Sequence, residues 1–317
     1  MSTSKTPDDQ TPPALPPLVI GEVLFDQFED GRSVLGGAPF NVAWNLRGFG
    51  YQPHFISAVG NDDVGRQVLE RMNAWEMDTS GLQIREDQKT GTVQVTVCER
   101  QPSYEIFFPR AYDFIEPPFI GPPFIGPPFV GPPAVEVSDN FSLLYHGTLA
   151  LRGERSRETI KQLAQAATIP RFVDVNIREP WFDSSWLTEL IPGSKYIKLN
   201  DVELGQLTEM QVSNGSQVEA AAKAFRDQHG GEIFFITCGS QGAYAVTDQA
   251  ITFAPAPKPA AMVDTVGAGD GFAAATIHGV VQGLPYQEIL DRAVTFAARV
   301  CGLKGATTID KSVYQNW

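Results

Sequence analysis

From residue 143 onward, short apolar segments alternate with helical ones, and no other feature limits the fold of this chain as much. LLYHGTL reads as a buried strand, and SRETIKQLAQAA as a helix capped by Ser156 with Glu158 two residues on. RFVDVNI and KYIKLN read as strands. SQVEAAAKAFRDQHGG is a helix closed by glycines, with Val218, Ala221, Ala222 and Phe225 on one face, and EIFFIT follows as a strand. Strands alternating with helices predict a mostly parallel sheet covered on both faces, a doubly wound α/β architecture.

The front of the chain has a different rhythm. EVLFDQF and SVLGG flank an acidic turn, and GTVQVTVCE and YEIFFPR alternate apolar with polar residues at period two. Half-exposed antiparallel strands are expected there, within about 22–36 and 90–113, as a small separate sheet lying as a lid over the main strand ends. Residues 117–133, PPFIGPPFIGPPFVGPP, repeat with period five. Paired prolines cannot enter a helix interior or a central strand, so this insert is either an expanded polyproline-II surface loop or a docking segment presenting Phe and β-branched side chains.

Bulk properties narrow the function. The 317 residues, 43% hydrophobic, can build a large core. A net charge of −13 argues against a nucleic-acid backbone or an anionic membrane as partner. Three dispersed cysteines and four dispersed histidines lack metal-ligand spacing and suit a reducing cytoplasm. Residues 1–17 are polar and proline-rich, without the basic start and apolar core of a signal peptide, and are read as a disordered leader. No run of 18 apolar residues occurs, so no transmembrane helix is expected.

Two glycine-rich stretches carry the chemistry. In DTVGAGDGF, residues 264–272, Gly267 and Gly269 permit a tight turn whose N–H groups converge at a helix start, where an anion or developing negative charge is stabilised. Asp270 follows in the first helical turn, placed either as a routine cap or as a base beside an anion hole. GAGDGF lacks the third glycine of a Rossmann fingerprint, and no Walker-type phosphate loop occurs. In VLGGAPFNVAWNLRGFG, residues 34–50, Gly36 and Gly37 allow close backbone approach, and Asn41 both donates and accepts hydrogen bonds, as a polyhydroxylated ligand requires. A glycine turn before a capped helix explains that stretch alone equally simply.

Taken together and in this order, GGAPFN and DTVGAGD resemble the two signatures of the ribokinase/PfkB family of carbohydrate kinases, over about residues 18–308. The resemblance implies one ribokinase-like kinase domain over 18–317, with Asp270 as catalytic base and the N–H groups of Gly267, Ala268 and Gly269 as anion hole. It implies that Asp26 grips sugar hydroxyls with Gly36, Gly37 and Asn41 beside it, and that Arg110 reaches the sugar from the lid. Asp174, Asn176 and Arg178 match a D-x-N-x-R strand end facing the phosphates. Lys198, Asn200, Thr237, Gly239 and Gly242 fall with the nucleotide-binding residues, and Glu203 completes an N-x-x-E element organising Mg²⁺ through water. Read without the family, Asn200 and Glu203 could equally cap a helix, TCGSQG could be a plain hairpin turn, and Asp264 a turn cap.

VCGLKGA is expected to line an adenine pocket, and Asp264 and Thr265 to bind K⁺ or another monovalent cation. ATP and Mg²⁺ are the implied cofactors, a small sugar the partner, and pairing of two copies through the lid a family expectation. GEVLFD, GGAPFNVA, FFPR and DVNIREPW are most similar to bacterial fructokinases. The front half holds few basic residues for a substrate phosphate besides Arg32, Arg47 and Arg110, which favours a free hexose, fructose first. Ribose or 2-keto-3-deoxygluconate is the alternative, and a non-catalytic sugar-binding or interaction protein on the same fold a further one.

Overall fold

In the computed structural model, residues 15–98, 101–117, 140–259, 261–315 and 317 are described; most of the PPFIG insert and residues 1–14 of the leader lie outside them. Nine strands form the main sheet: β1 (Leu18–Ile20), β4 (His54–Gly60), β5 (Leu82–Arg85), β8 (Leu144–His146), β9 (Arg171–Asp174), β10 (Tyr196–Asn200), β11 (Ile233–Thr237), β12 (Gly242–Val246) and β13 (Ile251–Pro255). Their order is β13-β12-β11-β10-β9-β8-β1-β4-β5. From β11 to β5 every pair is parallel, and at the other edge β12 alone runs in reverse, paired antiparallel with both β11 and β13.

Alternation along each strand divides the core. Val19, Tyr145, Phe172 and Phe235 face a cluster shared with helices α1 (Ala38–Gly48), α2 (Asp63–Ala74), α7 (Ala268–Val281) and α8 (Tyr286–Val300). Ile20, Leu144, Val173, Phe234 and Ile236 face the opposite layer, built from α3 (Glu154–Ala166), α4 (Ser185–Leu190), α5 (Asp201–Thr208) and α6 (Gly215–His229). A sheet apolar on both faces needs such double cover, which is why its strands read as continuous apolar runs. Helix α7 is buried nearly all round from Phe272 to Gly279, so its N-terminus is held rigidly.

The second sheet has four strands in the order β3 (Ser33–Gly36), β2 (Leu24–Phe28), β6 (Gly91–Cys98) and β7 (Gln101–Ile106). β2–β3 and β6–β7 are antiparallel hairpins, while the central β2–β6 pair runs parallel, a pairing that period-two alternation cannot reveal. Two local expectations change. Ser156 is not a cap: α3 begins at Glu154, and the Ser156 hydroxyl donates to the Tyr112 carbonyl and accepts the Ile115 N–H. Pro16 and Pro17, read as the end of the leader, already accept N–H bonds from Ser142 and His54 at the sheet margin.

Candidate active site

The chain runs from β1 outward through β4 and β5, then returns to the other side of β1 with β8. The strand order therefore reverses at β1, and a crevice opens beyond the carboxyl ends of the strands there. Two helix N-termini meet at this crevice. Gly37, at φ 106°, precedes α1, and a side chain on it would begin 2.6 Å from the Glu22 carbonyl oxygen. Only glycine allows that approach, which brings Asn41 in the first turn of α1 to Asp270 in the first turn of α7. The Asn41 amide donates to Asp270 Oδ2 at 2.7 Å, and its buried Oδ1 has no partner.

The DTVGAGD turn is pinned to the end of α8 by N–H bonds from Val263 and Asp264 to the Cys301 carbonyl. Gly267 takes the left-handed conformation, φ 79°, and a Cβ there would fall 2.1 Å from that of Ala306. The turn thus needs glycine twice over, for conformation and for space. Of the expected anion-hole donors, the Ala268 N–H points at the Thr265 carbonyl at 3.3 Å. Burial pushes the Asp270 carboxyl above its usual range, Asn41 and Lys198 draw it down, and Asp174 raises it again. The result is a carboxylate more basic than a free aspartate.

Beneath this turn lies a buried ion pair. Lys198 Nζ contacts both Asp174 oxygens at 2.8 and 2.9 Å, with the Tyr145 hydroxyl donating to the same carboxylate at 3.2 Å. The ammonium lies 3.6 Å from where a side chain on Gly269 would start, so positive charge sits directly under the turn. Burial would lower the Lys198 pKa, but Asp174, Glu203 and Asp270 outweigh it and hold the group protonated above its ordinary value.

On the β1 side, Gly36 leaves room for Asp26 Oδ2 and the Asn41 amide, each about 4 Å from where its side chain would begin. Burial raises the Asp26 pKa to about 6, opposed by Arg178 and assisted by Asp264. Arg178 also acts on Glu22, Asp270 and Tyr104, so the charge expected to face phosphates reaches the carboxylates on the β1 side. Arg110 is held by its own segment, bonded to the Pro109 carbonyl and 3.5 Å from Thr92 Oγ1, with its guanidinium over the Phe107 ring. Asn176, at φ 40°, is one of the few non-glycine residues in the left-handed region, which asparagine tolerates.

Toward the far side, Asn200 and Thr237 stand opposite each other at the ends of β10 and β11. Asn200 and Glu203 form a capping box at α5, and Glu203 accepts a further N–H bond from Ile177, so each of its oxygens already serves a backbone donor. TCGSQG is the connection from β11 to β12, with the Cys238 N–H on the Gly242 carbonyl and no room for a side chain on Gly242. Asp264 caps its own turn, accepting the Val266 N–H at 3.0 Å. β1 and β11 are four strands apart, about 19 Å, the scale of a sugar and a nucleoside triphosphate laid end to end.

Three residues escaped the sequence reading: Glu22, Tyr104 and Arg152. Glu22 is buried with Oε2 unpartnered, its pKa raised by burial to about 7, and the signal was a lone charge closing the apolar run PPLVIG. Tyr104 projects from β7, and its hydroxyl feels Asp26, Asp264 and Arg178; nothing local marks it. Arg152 lies outside both signatures.

The architecture is that of the ribokinase-like α/β class. The pfkB carbohydrate kinase family matches residues 21–312, and the chain belongs to that family of sugar kinases. Over 299 residues it is 26% identical to fructokinase from Salmonella typhimurium, spanning 91% of this chain and 92% of that one. Over 272 residues it is 25% identical to 2-dehydro-3-deoxygluconokinase from Bacillus subtilis, spanning 81% and 78%. Among solved structures, Arabidopsis thaliana ribokinase complexed with ribose and ATP superposes with a TM-score of 0.76 at 20% identity, over 95% of this chain and 97% of that one. Among the described residues, no helix is long and apolar enough to cross a membrane.

Proposed function

We propose that this chain is an ATP-dependent kinase of a free sugar, fructose first, that phosphorylates a terminal hydroxymethyl group in the cytoplasm. The observation that carries the reading is the pairing of Asp270 with Asn41 where two helix N-termini meet, above the buried Lys198–Asp174 pair. Asp270 accepts the proton of the attacking hydroxyl, and its raised basicity favours that transfer. The N–H groups of Gly267 and Gly269 and the Lys198 ammonium stabilise charge on the transferring phosphoryl group, and the Ala268 N–H joins them by leaving its long bond to the Thr265 carbonyl.

Asp26, Gly36, Gly37 and the open Oδ1 of Asn41 receive sugar hydroxyls, with Arg178 joining Arg110 among the acceptor-side groups. Asn176, Asn200, Thr237, Gly239 and Gly242 hold the nucleotide. The residues present fit Mg²⁺ only through water: no three His, Cys, Asp or Glu side chains cluster among the described residues, and Glu203 already spends one lone pair of each oxygen on backbone N–H groups. When bound with the nucleotide, Mg²⁺ spreads the phosphate charge. A monovalent cation at Asp264 and Thr265 would offset the negative charge that raises the Asp26 pKa.

A free neutral sugar is favoured over an acidic one because the four carboxyl groups of Glu22, Asp26, Asp264 and Asp270 outnumber Arg110 and Arg178 on this side of the crevice. The test is a coupled ADP-release assay over fructose, ribose, 2-keto-3-deoxygluconate, adenosine, tagatose 6-phosphate and fructose 6-phosphate, with and without K⁺. Fructose is expected to give the highest kcat/KM. Turnover confined to 2-keto-3-deoxygluconate would replace the substrate while keeping the chemistry.

Asp26 gives the acceptor step a pH dependence. Its carboxylate accepts sugar hydroxyls, and that form is lost as pH falls through about 6. The KM for sugar is expected to be level above pH 7 and to rise about tenfold per unit below the pKa. The folded chain holds this proton more tightly than an unfolded one, so Asp26 favours folding at low pH, and that contribution fades as pH rises from 3.8 to about 6. In Asp26→Asn the acidic rise in KM should vanish; its persistence would assign the limb to another group.

A further inference from the structure

Arg152 is a buried cation that the chemistry above does not use. It ends the short 3-10 turn Leu149–Arg152 after β8, with 2% of its side chain exposed. Its Nε and Nη2 donate to the two oxygens of Asp113 at 2.8 and 3.1 Å, and Nη2 also donates to the Phe107 carbonyl at 2.7 Å. Three rings surround the guanidinium, Tyr112 at 4.9 Å, Phe108 at 5.2 Å and Trp181 at 4.7 Å. Its Nη1 is buried with no partner.

These contacts come from two segments distant in sequence. Phe107, Phe108 and Asp113 bracket Arg110 as the chain leaves β7, and Asp113 also accepts the Arg110 N–H at 2.7 Å. Trp181 belongs to the loop after β9, where its N–H donates to the Arg178 carbonyl at 2.9 Å and its ring lies 5.3 Å from that of Phe108. Arg152 thus touches both segments that carry the acceptor-side arginines, and its charge backs the direct contact of Phe108 with Trp181. Packing alone does not call for it, since a well-fitted apolar side chain generally stabilises as well as a buried ion pair. A planar guanidinium does what an apolar group cannot: it fixes a carboxylate and a carbonyl in its plane while presenting its faces to rings.

We propose that Arg152 is a positioning residue for the acceptor: it locks the stem of the small sheet to the loop after β9 and thereby sets the separation of Arg110 and Arg178. The proposal rests on the acceptor site assigned above. Its consequence falls on sugar binding more than on nucleotide binding, because of the residues assigned to the nucleotide only Asn176 lies in either segment, and the strand ends of β10 and β11 lie outside both.

The test compares wild type with Arg152→Lys, Trp181→Leu and the charge-removing pair Arg152→Met with Asp113→Asn, which protects the fold from an unpaired buried carboxylate. Melting temperature, both KM values and kcat are measured, together with hydrogen exchange of peptides covering 104–113 and 176–182. Every variant is expected to raise the sugar KM about 10- to 100-fold, the scale of a small misplacement at an acceptor site. The KM for ATP should change less than about threefold, well below the effect on sugar, and both peptides should lose protection together. Lysine should restore the melting temperature without restoring the sugar KM, because an ammonium can neither bond both Asp113 oxygens in one plane nor present flat faces to the three rings. A variant that melts like wild type and binds sugar like wild type would overturn the proposal. If wild type phosphorylates no sugar, the acceptor reading fails, and exchange alone decides: loss of protection in only one of the two peptides rules out the coupling.

Discussion

Asp270→Asn is expected to lower kcat by about 100- to 10,000-fold, the loss that follows removal of a positioned general base. The substitution preserves shape. Asn41 donates to Oδ2 of Asp270, and an amide oxygen can accept the same bond, so the two helix N-termini stay joined. Lys198 keeps its own partner in Asp174. What disappears is basicity, which burial had raised. The sugar dissociation constant, measured by calorimetry without nucleotide, should therefore change little. A fall in kcat smaller than about tenfold in single-turnover experiments would mean that the hydroxyl proton leaves by another route.

The second large effect concerns stability. Asp174 is 0% and Lys198 5% exposed, and among the described residues the carboxylate bonds, apart from the ammonium, to the Tyr145 hydroxyl alone. Lys198→Met strands a charge in the core and should destabilise the fold by about 3–5 kcal/mol. Adding Asp174→Asn should recover much of that loss, since a missing pair costs less than half a pair. Activity should not recover in the double variant, because the positive charge beneath Gly269 is gone. Denaturant unfolding of the three proteins measures the first effect and kcat the second. A single-variant loss under about 1 kcal/mol, the range of exposed pairs, would show that water reaches this site.

The helices and strands after residue 143 were legible because their apolar periods differ, and β10, β11 and α6 fall close to where the pattern puts them. Caps were less legible. Ser156 has the right chemistry for an N-cap, yet it bonds across to Tyr112 and Ile115, a partnership created by the fold and invisible to local spacing. The parallel β2–β6 pair is hidden for the same reason.

In the candidate site, Asp270, Gly267 and Asn41 stood out because glycines and carboxylates crowd short stretches. The D-x-N-x-R pattern says nothing of the reach of the Arg178 charge to Asp26 and Glu22, because those carboxylates follow β1, distant in sequence and brought near β9 by the sheet order. The N-x-x-E pattern that points to a metal at Glu203 also spells the capping box that forms there. One pattern served two roles, and only the hydrogen bonds distinguish them. Arg152 and Tyr104 were out of reach, because their importance arises from residues brought together by β7 and the loop after β9.

The most direct test of the central claim is phosphorus NMR of the purified chain with ATP, Mg²⁺ and fructose, run beside Asp270→Asn. Wild type is expected to convert the γ-phosphate signal into that of a sugar phosphomonoester in step with ADP, while the variant leaves ATP intact. Inorganic phosphate in place of the sugar ester, or equal conversion by both proteins, would contradict the account.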